Sequence, residues 1–435
     1  MSSGAVASRP PSRSYGLLTE ITCPNCWHRF PPEKILWVAE HDGLYGDSKL
    51  GANEKQRFIP SRFTVAGEAI DGREMPCHRL ACPNCHLLVP RPMLELPPVF
   101  LSIFGAPGSG KSYVLAAMTW ELRRVLPLQF LASFADADPE LNLRLNQYER
   151  ALFANEKPDE PMKLAQMVKK TEQVGADYNE VDLNGQRISY TKPFLFAIQP
   201  QAGHPQQERS EQLARTLCLY DNAGESFSPG EDQASTPHTR HMALSQALFF
   251  VFDPMQEPRF RRECTSTANE SARPTALRQE SVFMEAAARI RRFAGLKHSQ
   301  KHDKPLVVIV AKADRWDHLL GDAADEDPYV LVKNPTGKAG LRALQLTAVE
   351  ERSARVRELL LRTCPEIVTA AEGFSQSVTY VPVSAVGRNV MERGINGEPT
   401  IRPGETAPYW VTVPIVYGLS RILPGLIPRV EKRRQ

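Results

Sequence analysis

No run of eighteen apolar residues occurs in this chain of 435, which excludes a membrane-spanning helix. Neither sign of charge dominates. Lys plus Arg number 53 and Asp plus Glu 50, a net of +3, so charge alone points to neither a nucleic acid nor a membrane surface. No internal repeat of solenoid type is present. The first 20 residues, MSSGAVASRPPSRSYGLLTE, lack the apolar core of a secretory signal and read as a mobile tail. Cysteine is scarce, eight in all. In a long chain without a secretion signal, this argues for a reducing compartment, expected to be the cytoplasm, with thiols free or on metal. Apolar residues make up 42%, the content of a globular protein long enough for two or three domains.

What is present divides the chain. Residues 21–95 form a module rich in Cys, His and Pro, and the segment ELPPV (95–99) marks its boundary. From 98 to 427 apolar runs alternate with helical patterns, the signature of an α/β sheet with helices on both faces. The strand candidates are 99–104, 193–198, 216–221, 247–253, 305–311 and 378–384, several of them continuous apolar runs as in strands buried on both faces. Helical patterns fall at about 112–126, 139–154, 275–294 and 345–363. Residues 321–344 are polar and Gly-rich, an expected insert or loop, and 428–435 read as a solvated basic tail.

Residues 105–112, GAPGSGKS, satisfy G-x-x-x-x-G-K-[ST] between an apolar run, PVFLSIF, and a helix-compatible run, YVLAAMTWELRRVL. Gly105, Gly108 and Gly110 let the backbone curl so that N–H groups of the loop, which also includes Ala106, Pro107 and Ser109, face an anion at a helix start. Lys111 then neutralises the β- and γ-phosphates, and Ser112 offers its hydroxyl to Mg²⁺. Three later segments arrive in order. TLCLYDNAGESF places Asp221 at a strand end, where it can hold a Mg²⁺-bound water, and Gly224 where its N–H can meet a γ-phosphate. VVIVAKAD ends in Asp314, whose carboxylate can accept two N–H bonds from a guanine edge, and Lys312, whose stem can cover the base. VPVSAVG puts Ser384 and Ala385 where a backbone N–H can meet the guanine oxygen.

Cys23-Pro-Asn-Cys26 and Cys82-Pro-Asn-Cys85 are identical C-x-x-C knuckles, and four thiolates at this spacing suit a structural, tetrahedral Zn²⁺. The long stretch between the knuckles requires an inserted piece. Cys77 and His78 stand as alternative ligands, and redox chemistry is the competing use of C-x-x-C. His28 and His86 read as outside the ligand set, and Cys218 as a core thiol. The two modules are expected to meet only through ELPPV, so that chelation would unfold residues 21–95 and spare the loop at Lys111.

The set GAPGSGKS, DNAG, AKAD and SA resembles the TRAFAC (Ras-like, translation-factor-related) class of P-loop GTPases. The CPNC knuckles, RFIPSRF, SGKSYVLAAMTW, YDNAGESFSPG and LFFVFDP are similar to the bacterial double-GTPase group, which carries an N-terminal zinc-ribbon-like module. That resemblance implies GTP hydrolysis with Mg²⁺, a second GTPase-family protein as partner, and a place in a conflict or defence system. It also implies a switch I threonine on Mg²⁺. Thr171 is favoured, lying before a hairpin DYNEVDL-NG-QRISYTK with an Asn184-Gly185 turn, and Thr191 is the alternative. Two departures stand out. Glu225 occupies the place of the water-orienting Gln and cannot donate as an amide does, which implies slow hydrolysis without a partner. Ala311 replaces the Asn or Thr that opens the base-reading motif. Arg187, Arg209 and Arg240 are available as arginine fingers, and none is assigned.

Overall fold

The computed structural model describes residues 16–163, 167–168, 178–227, 240–264, 278–325, 327–337, 340–388, 392–393 and 399–431. Thr171 lies outside them. All six apolar runs become strands of one mixed seven-stranded sheet: β1 (Pro98–Gly105), β3 (Pro193–Pro200), β4 (Arg215–Asp221), β5 (Ala247–Phe252), β6 (Leu306–Val310) and β7 (Val378–Pro382). The seventh, β2 (Ala132–Asp136), is a short edge strand whose ASFAD sequence offers no apolar run to signal it. The spatial order is β2-β3-β4-β1-β5-β6-β7. Only β3 runs against the others, pairing antiparallel with both β2 and β4. The parallel pairs place Ile103 of β1 level with Asp221 on one side and Phe249 on the other. The loops after β1, β4, β5, β6 and β7 therefore all open at the carboxyl end of the sheet, where ligands of open α/β sheets bind.

Among the described residues the helices of ten residues or more are α1 (Lys111–Gln129), α2 (Leu143–Phe153), α3 (Gln279–Ala294), α4 (Leu346–Thr363), α5 (Pro365–Phe374) and α6 (Val413–Ile422). The sequence patterns anticipate the first four. α5 follows α4 almost without a break because Pro365, lacking an N–H, opens a new helix at its first position. Strand residues alternate between two cores. Ile103, Phe249, Val251, Val307 and Ile309 face a core shared with α1, α2 and α6. Phe104, Phe250, Phe252, Val308 and Val310 face one shared with α3, α4 and α5.

The second face is divided. Over β3, β4 and the start of β1, Phe100, Leu195, Cys218 and Tyr220 belong to a core shared with Ile21, Trp27, Phe30, Leu87 and the four knuckle cysteines. Here the cysteine module takes the position of a helical layer. The expectation that it meets the sheet only through ELPPV is corrected by this shared core. The module is driven onto the sheet because β4 is apolar on both faces, and burying the second face there joins it to the module's own apolar residues.

Three further expectations change. Part of 321–344 is built into a small sheet, in which Tyr329–Leu331 pairs with Arg342–Gln345 and Leu344 is fully buried. Arg429 and Val430, expected in a solvated tail, pair in parallel with Leu344 and Gln345. At the other end, Leu18 of the expected tail donates its N–H to Leu94 O at 2.7 Å. Among the described residues no helix is long and apolar enough to cross a membrane.

Candidate functional site

The loop between β1 and α1 is shaped by its glycines. Gly108 and Gly110 have φ of 75° and 88°, where a side chain would be strained. At Gly105 an added Cβ would lie 2.5 Å from Val251 O, so β5 presses against the loop base. Ser109 N–H donates to Ala106 O (3.1 Å) and Val114 N–H to Gly110 O (3.0 Å), closing the turn and starting α1. Lys111 is buried, with 7% of its surface exposed, and Ser112 is half-buried.

The strand end of β4 meets this loop. Asp221 is 3% exposed, with Lys111 Nζ 3.8 Å from its Oδ1 and Arg144 Nη2 3.6 Å from its Oδ2. Asn222 is pinned to the loop strand through both its backbone N–H and Nδ2, which donate to Ile103 O at 3.0 and 2.9 Å. Gly224 begins a short helical turn, Gly224–Phe227, and an added Cβ would lie 2.6 Å from both Gly105 O and Pro107 N. Gly224→Ala must therefore displace the loop backbone. A cost of about 1–3 kcal/mol is expected for such overpacking. We expect a lowered melting temperature and at least ~10-fold weaker nucleotide binding, about 1.4 kcal/mol, read by thermal denaturation and calorimetric titration. Unchanged values in both would show that the loop and the DNAG turn do not form one unit. The side chain of Glu225 lies outside what is described.

At the ends of β6 and β7 the base-reading candidates converge. Ser384 Oγ donates to Asp314 Oδ1 at 2.6 Å and accepts from Gly387 N at 2.9 Å. Burial pushes the Asp314 carboxyl up, and the Ser384 bond opposes this. Ser384 is fully buried and Ala385 half-buried. Lys312, in the left-handed region at φ 55°, reaches back to Asp253 Oδ2 at 2.6 Å. Asp253 is fully buried just after β5; its N–H donates to Gln279 Oε1 at 2.9 Å, and its carboxylate accepts from Met255 N at 3.0 Å. The next residues include Gln256, whose Nε2 would sit 3.6 Å from a Cβ on Gly108. The turn at Lys312–Asp314 is thus tied toward the loop through Lys312 and Asp253, despite Ala311. Asp317 braces the same turn, accepting from Tyr409 OH at 2.8 Å and Arg388 Nη2 at 2.6 Å, while Tyr409 pairs with Ser384 through the backbone.

Sequence reasoning passed over Asp253, Asp317, Tyr409 and Arg144. Only Asp253 carried a signal, a carboxylate ending the apolar run ALFFVFD. Of the switch I candidates, Thr191 is described. The hairpin has the expected Asn184-Gly185 turn with φ of 59° and 79°, and Thr191 closes its second strand opposite Tyr178, 2% exposed. Arg187 pairs with Glu180 at 3.6 Å, and Arg209 contacts Gln206 and Gln212. Arg240 is an exposed residue opening a short helix.

The two knuckles converge to a buried cluster. The sulfurs of Cys23, Cys26, Cys82 and Cys85 all lie within 4.8 Å of one another, with Cys23–Cys85 and Cys26–Cys82 at 3.7 Å. Four sulfurs at about 2.3 Å from a tetrahedral metal are separated by about 3.8 Å, so the cluster has the size of a zinc–thiolate site. Each knuckle closes the same way: Trp27 N–H donates to Cys23 O and His86 N–H to Cys82 O, with φ of 58° at Trp27 and 61° at His86. Asn25 and Asn84 direct backbone N–H groups at Cys23 and Cys82 Sγ, at 3.4 and 3.3 Å. Burial pushes the Cys23 and Cys85 thiols up, while hydrogen bonds from Cys23, Cys82 and Cys85 hold Cys26 down, and a cation bound among them would favour the thiolate form of all four. Cys77 bonds Met75 O instead, His78 pairs with Glu68, and His86 Nδ1 sits 2.8 Å from Asp47.

No family model matches the chain, and no curated protein matches it. Among solved structures, sup35 complexed with GDP is 14% identical over 68% of this chain and 40% of that chain, with a TM-score of 0.24. The same protein complexed with GMPPNP is 13% identical over 67% and 38%, at 0.21. The S. cerevisiae Ski7 GTPase-like domain bound to GTP is 10% identical over 78% and 52%, at 0.28. This chain thus spans about half or less of the length of these solved chains.

Proposed function

We propose that this protein binds GTP and hydrolyses it with Mg²⁺, as a slow switch of the Ras-like P-loop class. The observation that carries the reading is the buried Lys111–Asp221 pair, beneath a glycine loop against which Gly224 packs without room for a methyl group. In this reading the loop N–H groups of 105–112 and Lys111 hold the phosphates. Ser112 and Asp221 hold Mg²⁺, with a switch I threonine, Thr171 or Thr191, as a further ligand. Mg²⁺ supplies charge neutralisation across the β- and γ-phosphates. Lys312, Asp314, Ser384 and Ala385 form the guanine site, and Gly224 reports the γ-phosphate. Zn²⁺ on Cys23, Cys26, Cys82 and Cys85 is structural, since four protein ligands leave no open position. The free thiols fit a cytoplasmic setting. The resemblance supplies the remaining readings: a second GTPase-family protein as partner, and a conflict or defence role.

GTP is expected to bind at least roughly a hundredfold more tightly than ATP, because adenine offers no N–H pair to the half-buried Asp314 carboxylate and leaves it only its bonds within the protein, such as that from Ser384. Asp314→Asn should shift the preference towards xanthosine triphosphate. Equal affinity of the unaltered protein for GTP and ATP would remove the guanine assignment in favour of an ATPase of similar fold. Glu225 favours a second reading, a nucleotide-dependent switch that scarcely turns over. Single-turnover hydrolysis separates the two.

A further inference from the structure

Just past the carboxyl end of β5 stands a fully buried carboxylate, Asp253, and each of its two oxygens has its own task. Oδ1 accepts the Met255 N–H at 3.0 Å and so caps the short turn Pro254–Gln256. That turn leans on the loop at 105–112, with Gln256 Nε2 3.6 Å from where a Cβ on Gly108 would lie. Oδ2 accepts from Lys312 Nζ at 2.6 Å. The carboxylate is fixed from behind, because the Asp253 backbone is bonded twice to buried Gln279 at the start of α3. Its N–H donates to Oε1 at 2.9 Å, and its C=O accepts from Nε2 at 2.8 Å. β5 itself pairs in parallel with both neighbours, Val251 level with Gly105 and Phe252 with Val310. Lys312, two residues before Asp314, is held in the left-handed region at φ 55°, which a residue with a side chain rarely adopts without support. Ala311 brings only a methyl group to this turn, while its N–H donates to Phe252 O at 2.8 Å and its C=O accepts from Trp316 Nε1 at 2.9 Å.

We infer that Asp253 is a positioning residue for base recognition, which acts through Lys312 to hold the Lys312–Asp314 turn in register with the loop at 105–112 and thereby sets the discrimination of guanine from adenine. The inference rests on the guanine site proposed above and adds to it a residue that orients that site from outside it. A buried carboxylate is costly unless it is paired and hydrogen-bonded. After that desolvation cost such a pair adds little net stability, but its directional bonds fix one geometry. Asp314 needs that geometry, because a carboxylate that accepts two N–H bonds from one base edge must be held to within about 0.5 Å. Ser384 Oγ, at 2.6 Å, steadies the Asp314 carboxylate from the β7 side, and Asp253 steadies the chain two residues earlier from the β5 side. Adenine makes no such pair, so its binding depends far less on where that carboxylate points. Releasing Lys312 therefore weakens guanine nucleotides selectively, and GDP as much as GTP, since the altered contact is at the base and not at the terminal phosphate.

The test compares the unaltered protein, Asp253→Asn, Lys312→Met and the double variant by calorimetric affinity for GTP, GDP and ATP, with thermal denaturation of each. Asp253→Asn keeps an oxygen for the Met255 N–H and leaves the ammonium of the exposed Lys312 side chain to water, so the fold should persist. Lys312→Met keeps an apolar stem and removes the ammonium, and so probes the same link from its other end. We expect Asp253→Asn to lower the GTP-over-ATP affinity ratio at least about tenfold, with GTP and GDP weakened alike. Lys312→Met should lower the ratio as far, and adding Asp253→Asn to it should change the ratio less than about twofold. An unchanged GTP-over-ATP ratio in either single variant would overturn the proposal while leaving the guanine site intact. So would additive effects of the two substitutions. A parallel loss of GTP and ATP affinity with a lower melting temperature would also overturn it, making Asp253 a support of the fold alone. A GTP-over-ATP ratio near one in the unaltered protein would remove the guanine site itself, and the proposal with it.

Discussion

Lys111→Ala is expected to abolish measurable binding of nucleoside triphosphate. Lys111 is nearly buried at the start of α1, and its ammonium sits 3.8 Å from the buried Asp221 carboxylate. A charge contact to phosphate in such a partly dehydrated site is expected to be worth about 2–5 kcal/mol, or roughly 30-fold to several thousandfold in Kd. The same substitution leaves Asp221 paired with Arg144, so the apo fold should persist with a modest loss of stability. Calorimetric titration with GTP, alongside thermal denaturation of the apo protein, checks both halves. Normal binding by the alanine variant would show that GAPGSGKS is a structural turn.

Removing a metal bound by the cysteine cluster should disturb the proposed nucleotide site as well as the module. Trp27, next to Cys26, donates through Nε1 to Tyr220 OH at 3.1 Å. Tyr220 OH in turn donates to Pro24 O, inside the first knuckle, at 2.5 Å. His241 stacks on both rings, 4.4 Å from Tyr220 and 5.5 Å from Trp27. Tyr220 is fully buried and immediately precedes Asp221. A knuckle that opens therefore releases the residue beside the proposed Mg²⁺-binding carboxylate. Losing the packing of one buried aromatic costs about 3–5 kcal/mol. Metal binding to such clusters is worth on the order of 10 kcal/mol of folding free energy. We expect one Zn²⁺ per chain, a lower melting temperature on chelation or in Cys82→Ser, and GTP affinity reduced at least about tenfold. Metal analysis without zinc, or unchanged melting of Cys82→Ser, would show that the cysteines are not ligands. Unchanged GTP affinity in a chelated protein would show that the Tyr220 junction transmits nothing.

These expectations separate two kinds of information. Features set by a few neighbouring residues were legible in the chain. The glycines that permit positive φ at Gly108 and Gly110, the Asn184-Gly185 hairpin turn and the two knuckles all depend on local backbone geometry. So do the six apolar strands, since a continuous apolar run excludes solvent on both faces wherever it lands. Short elements without such a run are not legible: β2 has only ASFAD, and the strands at Tyr329–Leu331 and Arg342–Gln345 are held by pairing with each other and, through Leu344 and Gln345, with Arg429 and Val430 rather than by their own pattern.

By itself, then, the sequence determined the sheet's central strands, the loop at 105–112 and which cysteines can share a metal, because each follows from backbone freedom or side-chain chemistry within one short segment. Only the tertiary structure decided that the cysteine module covers half of one sheet face, that Arg144 and Lys111 share Asp221, and that Lys312 answers to Asp253. Those pairings join side chains from different elements. Their placement follows from how apolar faces are buried and buried charges paired across the whole fold, which no local pattern encodes.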